Sequence, residues 1–454
     1  MNTERVDRTR PPEPGDLPAL ELPDFRRFRL DNGLELLVAE ARQLPEVSFR
    51  LVVEAGAVAE PDDAPGLAEL TGRLLTEGAG GRSAPETAEW LDRLGASFRA
   101  STGYDVTSLN VHTLADVLDG TLDFLRAVVR EPTFASSELS RVRAEAADEL
   151  ERERDEADVV ADHTLIRAVY GGHRYGTPSA GRPETMRSLE RAGVTEFHDR
   201  RYSAEDAAVV ACGDVEAGRL RDALAERFGD WEPGEGRPTP SPPPGDAEEA
   251  GRVLVVDRPG SAQAEVRLGT VGLAYGGDAF FPALVGNAVL GGLFNSRINM
   301  NLREEKGWTY GATTSFHFRR VAGPFVAGAA VETGAAAAAL SEILAEIRGM
   351  WERPPDDEEL ALARNNLVLS LPRRFETVSK VTSRVATRWI HGLPEDWWER
   401  YRERVEAVER EAAVASLRER LAPERMTGVV VAEADEVVPD LEERFDRVEV
   451  VPFP

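Results

Sequence analysis

The first periodic segment, FRRFRLDNGLELLVAE (25–40), has two short apolar-alternating runs on either side of Asn32-Gly33. Asn-Gly accepts the positive φ angles of a tight turn, so a β-hairpin is expected. VSFRLVVEAGAV (47–58) alternates as a further strand ending at Gly56, and the loop AEPDDAPG follows. The period then changes: Leu67, Leu70, Leu74 and Leu75 fall at i, i+3, i+7 and i+8, the stripe of a buried helix closed by glycines. In RSAPETAEWLDRLG (82–95), Ser83 and Glu86 have capping-box spacing and Gly95 is the stop. SFRASTG and TSLNVHTL read as strands before a helix near 115–130. A long charged helix is expected from about Ala135 through Glu156, in a pattern open to continuation towards Val169.

The strong linker signal is EPGEGRPTPSPPPGDAEEAG (232–251), whose prolines deny helix and sheet hydrogen bonding. The chain on either side is alike. EVSFRLVVEAG (46–56) is similar to AEVRLGTVGLAYG (264–276), and FLRAVVREPTFASSELSRVR (124–143) to EIRGMWERPPDDEELALAR (346–364), in the same order and at an offset of about 220 residues. This predicts an internal duplication and an α+β fold of two homologous domains, each an antiparallel sheet packed with helices. The boundaries are a flexible arm at 1–20, a first domain at 21–231, the linker at 232–251 and a second domain at 252–454.

Composition narrows the function. Against 54 Lys+Arg stand 81 Asp+Glu, a net charge of −27 that repels phosphate backbones and argues against nucleic acid. The single cysteine, Cys212, excludes an internal disulfide and any CxxC motif, and its place in AAVVACGDV (207–215) suits a small buried residue. No apolar run reaches the length of a membrane span, and the charged, Pro-rich N-terminus has no signal-peptide core, so a cytoplasmic location is expected. GTPSAG (176–181) and GGLF (291–294) match no phosphate loop, and the Ala-rich stretch 333–347 reads as a packing helix. RWIHGLPEDWWERYRERVEAV (388–408) holds three of the seven tryptophans, with core or hinge packing as the default.

From about Phe25 to Phe445 the order of elements, with GLAELTGRLLTEGAGGRSAPE, LGASFRASTGYDVTSLNV, HRYGTPSAG and FHDRRYSAEDAAVVACGDV followed by a second copy, resembles the insulinase/pitrilysin family of zinc metallopeptidases. The resemblance is particularly to the short bacterial and mitochondrial-processing-peptidase-like members. The resemblance implies a clam-shell of which this chain is half. In catalytic members the helix matching 66–77 carries His-x-x-Glu-His. Two imidazoles four residues apart bind Zn²⁺, the glutamate is the general base, and a distal glutamate completes the ligands. Here that stretch reads Glu69-Leu70-Thr71-Gly72-Arg73, with neither histidine, a glycine at the base position and a guanidinium at the second ligand position. No metal or other cofactor is expected in this chain. Glu149 and Glu156 fall in the region of the distal ligand and read as a solvated helix face, and Glu69 and Arg73 are spaced to pair.

The second half keeps more. LFNSRINMNLREEKGWTYGATTSF (293–316) resembles the segment carrying the family's Arg/Tyr pair, matched here by Arg303 and Tyr310. The resemblance implies that this pair holds substrate backbone and the oxyanion of the tetrahedral intermediate, in trans to the zinc of another lobe. Arg gives a permanently charged fork of donors and Tyr a hydroxyl donor, types suited to a developing negative oxygen. The expected function is therefore the zinc-less, non-catalytic subunit of a heterodimeric metalloendopeptidase. Its partner would be a homologous catalytic subunit carrying His-x-x-Glu-His and the Zn, and its substrates short or unfolded peptides. Acidic residues lining the chamber would favour basic peptides. The alternative is a catalytically inactive scaffold or peptide-binding pseudopeptidase.

Overall fold

A computed structural model describes residues 23–453, and the arm expected at 1–20 lies outside the described residues. The first half opens with the hairpin β1 (Phe25–Arg29) and β2 (Glu35–Glu40), turning at Gly33 with φ 93°. Next come β3 (Glu46–Val53), α1 (Leu67–Leu74), α2 (Ala84–Leu94), β4 (Ser97–Thr102), β5 (Thr107–Leu114), α3 (Leu118–Arg130), α4 (Ser136–Glu153) and α5 (Ala157–Tyr170). It closes with α6 (Pro183–Ser188), α7 (Arg191–Arg201), β6 (Ala207–Gly213) and α8 (Ala217–Phe228). The second half begins with β7 (Val253–Asp257), β8 (Gln263–Val271), α9 (Phe280–Asn287), α10 (Arg297–Asn299), β9 (Ala312–Phe316), β10 (Pro324–Glu332) and α11 (Ala336–Glu352). It ends with α12 (Asp357–Leu369), α13 (Val378–Ile390), α14 (Tyr401–Glu406), α15 (Arg410–Arg420), β11 (Thr427–Ala432), α16 (Ala434–Glu442) and β12 (Val448–Pro452).

Each half builds a six-stranded sheet, in orders β1-β2-β6-β3-β5-β4 and β12-β7-β11-β8-β10-β9. The segments matched in sequence hold matched places: β3 and β8 are the fourth strands, and α3–α4 answers α11–α12. The sheets are mixed rather than wholly antiparallel, because β2 runs parallel to β6 and β7 parallel to β11. The outer strand breaks the symmetry. β1 comes from the start of the half and pairs antiparallel with β2, whereas β12 comes from the chain's end and pairs parallel with β7.

The central strands show what joins the halves. β6 (AAVVACG) and β11 (TGVVVA) are buried at every position. A strand apolar on both faces needs a layer on each. Val209 and Ala211 face the first half's own core, while Val210 faces Val385 and Ala386 of α13 and Cys212 faces Val381. Reciprocally, Val429 and Val431 of β11 pack with Val160, Leu165 and Val169 of α5. Each half thus lends one helix to the outer face of the other's sheet, and each large apolar side chain buried there contributes roughly 1.5–3 kcal/mol. This exchange explains why α4 and α5 are separate helices. The helix expected from about Ala135 through Glu156 ends at Glu153, and the stretch towards Val169 forms a separate helix, so that α4 stays on its own core and α5 crosses over.

Buried charge pins the same seam. Glu54, 1% exposed at the end of β3, lies 2.8 Å from both Arg237 Nε and Arg320 Nη1. The Arg320 N–H donates to Asp105 Oδ2 at 3.1 Å, and the Tyr175 hydroxyl donates to Asp105 Oδ1 at 2.7 Å. Arg319 stacks on Tyr104 at 3.7 Å. The β9–β10 loop therefore inserts into the β4–β5 turn of the other half. Residues 233–252 hold no helix or strand, yet they lie against the first half through Arg237 and through the Gly236 N–H, which donates to Asp206 at 3.2 Å. The tryptophan-rich segment is core: Trp397 and Trp398 are 1% and 2% exposed. Cys212 is buried as expected, its thiol pushed up to about 11 by burial. No helix among the described residues is long and apolar enough to cross a membrane.

Two outcomes follow. Arg320→Met leaves the buried Glu54 with Arg237 as its one remaining ion-pair partner among the described residues and should cost about 3 kcal/mol, read by urea unfolding. His391 stacks on Tyr275 at 4.4 Å, and its pKa is lowered to about 4, first by burial, with Arg320 and Arg237 adding and Asp105 opposing. The unfolded chain protonates this ring near pH 6.5 while the fold keeps it neutral, so the unfolded state gains protons as pH falls. Stability from this group is whole above about pH 6.5 and declines towards pH 4 by at most about 3 kcal/mol. His391→Phe should flatten that part of the pH–stability curve.

Candidate functional site

α1 starts at Gly66, whose φ of 97° only glycine adopts freely, and its entry is fixed by a buried carboxylate. Glu60 accepts from the N–H groups of Ala68 at 2.8 Å and Gly66 at 3.2 Å and pairs with Arg174. Burial pushes the Glu60 carboxyl up, against the pull of Arg174 and the two N–H groups. With Leu67, Leu70 and Leu74 turned into the core, Glu69 and Arg73 lie towards α4.

There the guanidinium of Arg73 bridges two carboxylates. Its Nε donates to Glu69 Oε1 at 2.7 Å and its Nη1 to Glu149 Oε2 at 2.7 Å. Burial pulls Arg73 down, but these bonds outweigh it and leave the group raised. Nearby Glu153 is raised, chiefly by burial and then by the charge of Glu149. The expected Glu69–Arg73 pair is present, and Glu149 joins it. Glu156 does not: it is exposed at the start of α5, and its carboxylate makes no hydrogen bond or ion pair among the described residues. Gly72 turns to β4 instead, where a Cβ would stand 2.9 Å from Thr102 Oγ1. A general-base side chain at that position would require Thr102 to move.

This donor set does not fit zinc. Imidazole is missing from it, and the two carboxylates that could ligate are already bonded to a cation that cannot. Among the described residues no group of three or more His, Cys, Asp or Glu is placed to hold a metal ion.

Arg303 and Tyr310 share one segment of the other half. α10 runs into a π-helical turn, Met300–Glu305, a local unwinding often found at functional positions. Asn299 accepts from the Ala312 N–H at 3.0 Å, and Asn301 donates to Glu342 and Glu346 at 2.9 and 2.8 Å, fixing the turn on the core. Arg303 lies 4.3 Å from the centre of the Phe294 ring and 3.5 Å from Glu304. Tyr310 is 93% exposed. Among the described residues no hydrogen bond or ion pair joins either residue to α1 or α4. The structure therefore keeps the Arg73 cluster and the Arg/Tyr segment as separate groups within this chain. Arg174, the partner of Glu60, lies in HRYGTPSAG, and no local pattern in the sequence points to that pairing.

Two six-stranded α+β lobes, with a histidine-free, ion-paired cluster on the helix after the third strand, define a metallopeptidase-like fold. Comparison with known proteins agrees. The profile of the Insulinase (Peptidase family M16) matches residues 36–182, and that of the Peptidase M16 inactive domain matches 188–367. The chain belongs to the insulinase family, M16. An uncharacterized zinc protease of Bacillus subtilis is 25% identical over 293 residues, 64% of this chain and 70% of that protein. One from Mycobacterium tuberculosis is 28% identical over 287 residues, 63% of this chain and 65% of its own length. Among solved structures, a peptidase M16 inactive domain from Pseudomonas fluorescens has a TM-score of 0.84 at 22% identity, covering 90% of this chain and 98% of its own. A protease from Helicobacter pylori also reaches 0.84, at 19% identity and 91% and 100% coverage. At these identities the two structures establish the fold alone.

The convergence of Glu69, Arg73 and Glu149 can be tested by metal content. Purified chain should carry no zinc at these positions, whereas the double variant Glu69→His with Arg73→His, using Glu149 as third ligand, should gain about one zinc per chain by mass spectrometry. A double variant that folds and stays zinc-free would mean that the three positions do not converge.

Proposed function

We propose that this chain is the non-catalytic subunit of a heterodimeric zinc metalloendopeptidase, giving Arg303 and Tyr310 in trans to a homologous partner that carries His-x-x-Glu-His and its Zn. The observation that carries the reading is the contrast between the two halves. The helix that would hold metal is closed by Arg73 between Glu69 and Glu149, while Tyr310 stands 93% exposed on a fixed turn, where a partner surface could meet it. In such an assembly Arg303 would hold substrate carbonyls, and the Tyr310 hydroxyl would donate to the oxygen that gains charge as the peptide carbonyl becomes tetrahedral. β4 is an edge strand, pairing with β5 alone, so an extended peptide could add to it through main-chain hydrogen bonds.

One observation favours the scaffold or peptide-holding alternative. Arg303 rests on Phe294 and Glu304, and among the described residues no hydrogen bond fixes the Tyr310 hydroxyl, so these residues do not pre-arrange the pair for catalysis. A single assay separates the readings. In the co-purified pair, Arg303→Ala should lower kcat by about 10²-fold, and Tyr310→Phe by about tenfold or more, with assembly unchanged by size-exclusion chromatography. Full turnover in both variants would refute the in-trans role and leave the scaffold reading standing.

A further inference from the structure

At the break between α4 and α5 opens a cavity of about 390 Å³, lined by Glu153, Arg154, His163, Arg167, Arg182 and Glu184. Its third wall is the 176–184 segment, held by a close backbone crossing. Gly181 has φ +81°, and a Cβ there would collide with the Pro65 carbonyl and stand 2.9 Å from Gly66 Cα. Only glycine lets this segment lie across the entry to α1. The cavity therefore adjoins the degenerate motif, and its own Glu153 senses Glu149, Arg73 and Glu69.

The charge inside it runs against that of the whole chain. Arg154 donates to Glu184 at 2.7 Å, but neither Arg167 nor Arg182 has a carboxylate within ion-pair distance among the described residues. Burial draws Arg182 down, and the guanidiniums of Arg167, Arg154 and Arg174 draw it further, with Glu184 opposing. In the same direction, the His163 ring is lowered by burial and by Arg182, against Asp162. Although the chain has 81 acidic side chains, these two guanidiniums line one cavity with no carboxylate in ion-pair distance among the described residues, which marks a place for an anion from outside. Leu150 and Val160 add an apolar wall that a methylene stem would cover and a bare inorganic ion would not.

We propose that this cavity is a subsite for an acidic side chain of a bound peptide, its carboxylate received between Arg167 and Arg182. The assignment rests on the proposed reading that an extended peptide adds to β4, the strand against which Gly72 of α1 lies, and it reverses the preference for basic peptides expected from net charge. Planar guanidinium forks suit carboxylate recognition.

The test uses the purified chain and fluorescence anisotropy. Labelled Ala/Ser decapeptides carry one glutamate at successive positions, each with a matched glutamine control. At one register or more, glutamate should bind about tenfold more tightly than glutamine. Arg167→Gln and Arg182→Gln should each erase that preference, and Arg152→Gln, exposed on α4 outside the cavity, should keep it. Should Arg182→Gln fold poorly, Arg167→Gln on the exposed side of α5 decides alone. Equal binding of both series at every position overturns the proposal, as does loss of preference in Arg152→Gln as complete as in Arg167→Gln. Inorganic phosphate binding that depends on Arg167 without any glutamate preference assigns the cavity to a free anion and also overturns it. Because the readout needs neither partner nor turnover, its failure is separate from that of the in-trans role. An assembled pair that still depends on Arg303 but shows no glutamate preference loses the subsite alone.

Discussion

Two central strands with no polar face set the terms for this molecule. β6 and β11 bury every residue, and the helices of one half can cover only one side of its own sheet. The other side is closed by α13 over β6 and by α5 over β11, so neither half completes its hydrophobic burial without the other. The charged seam is a consequence of that arrangement. Once the helices have crossed, the β9–β10 loop is carried against the β4–β5 turn, and Arg320 meets Glu54 and Asp105 in a setting where an unpaired charge would be costly.

The same crossing shapes the candidate site. α4 stays home and presents Glu149 to α1, and the chain then breaks so that α5 can leave. That break leaves space between the two helices, and the glycine-rich 176–184 segment closes over it. Here Arg73 makes this neighbourhood an ion-paired joint, and Arg167 and Arg182 line the adjoining cavity.

Much of the fold was legible in the chain. The hairpin at Asn32-Gly33, the capping box at Ser83 and Glu86, and the duplicated segments all appear where the residues place them, because turn chemistry and caps act over three or four residues. The pairing of Glu69 with Arg73 was legible for the same reason. The α4–α5 break was not, since ERERDEADV contains neither proline nor glycine and the cause of the break is a sheet more than a hundred residues away. The contacts of Glu149 with Arg73 and of Arg174 with Glu60 also span large separations, and no local pattern announces them. The unbroken apolar runs of β6 and β11 did carry the signal for two-sided burial, although not the identity of the covering helix.

The crossed helices give the linker an unexpected standing. In topological terms the chain is a domain-swapped dimer written into one polypeptide, with 232–251 as the join. Two half-length chains of this pattern could satisfy the same burial only by trading helices with each other. The join therefore supplies proximity rather than architecture, and the grip between the halves would outlast a cut in it.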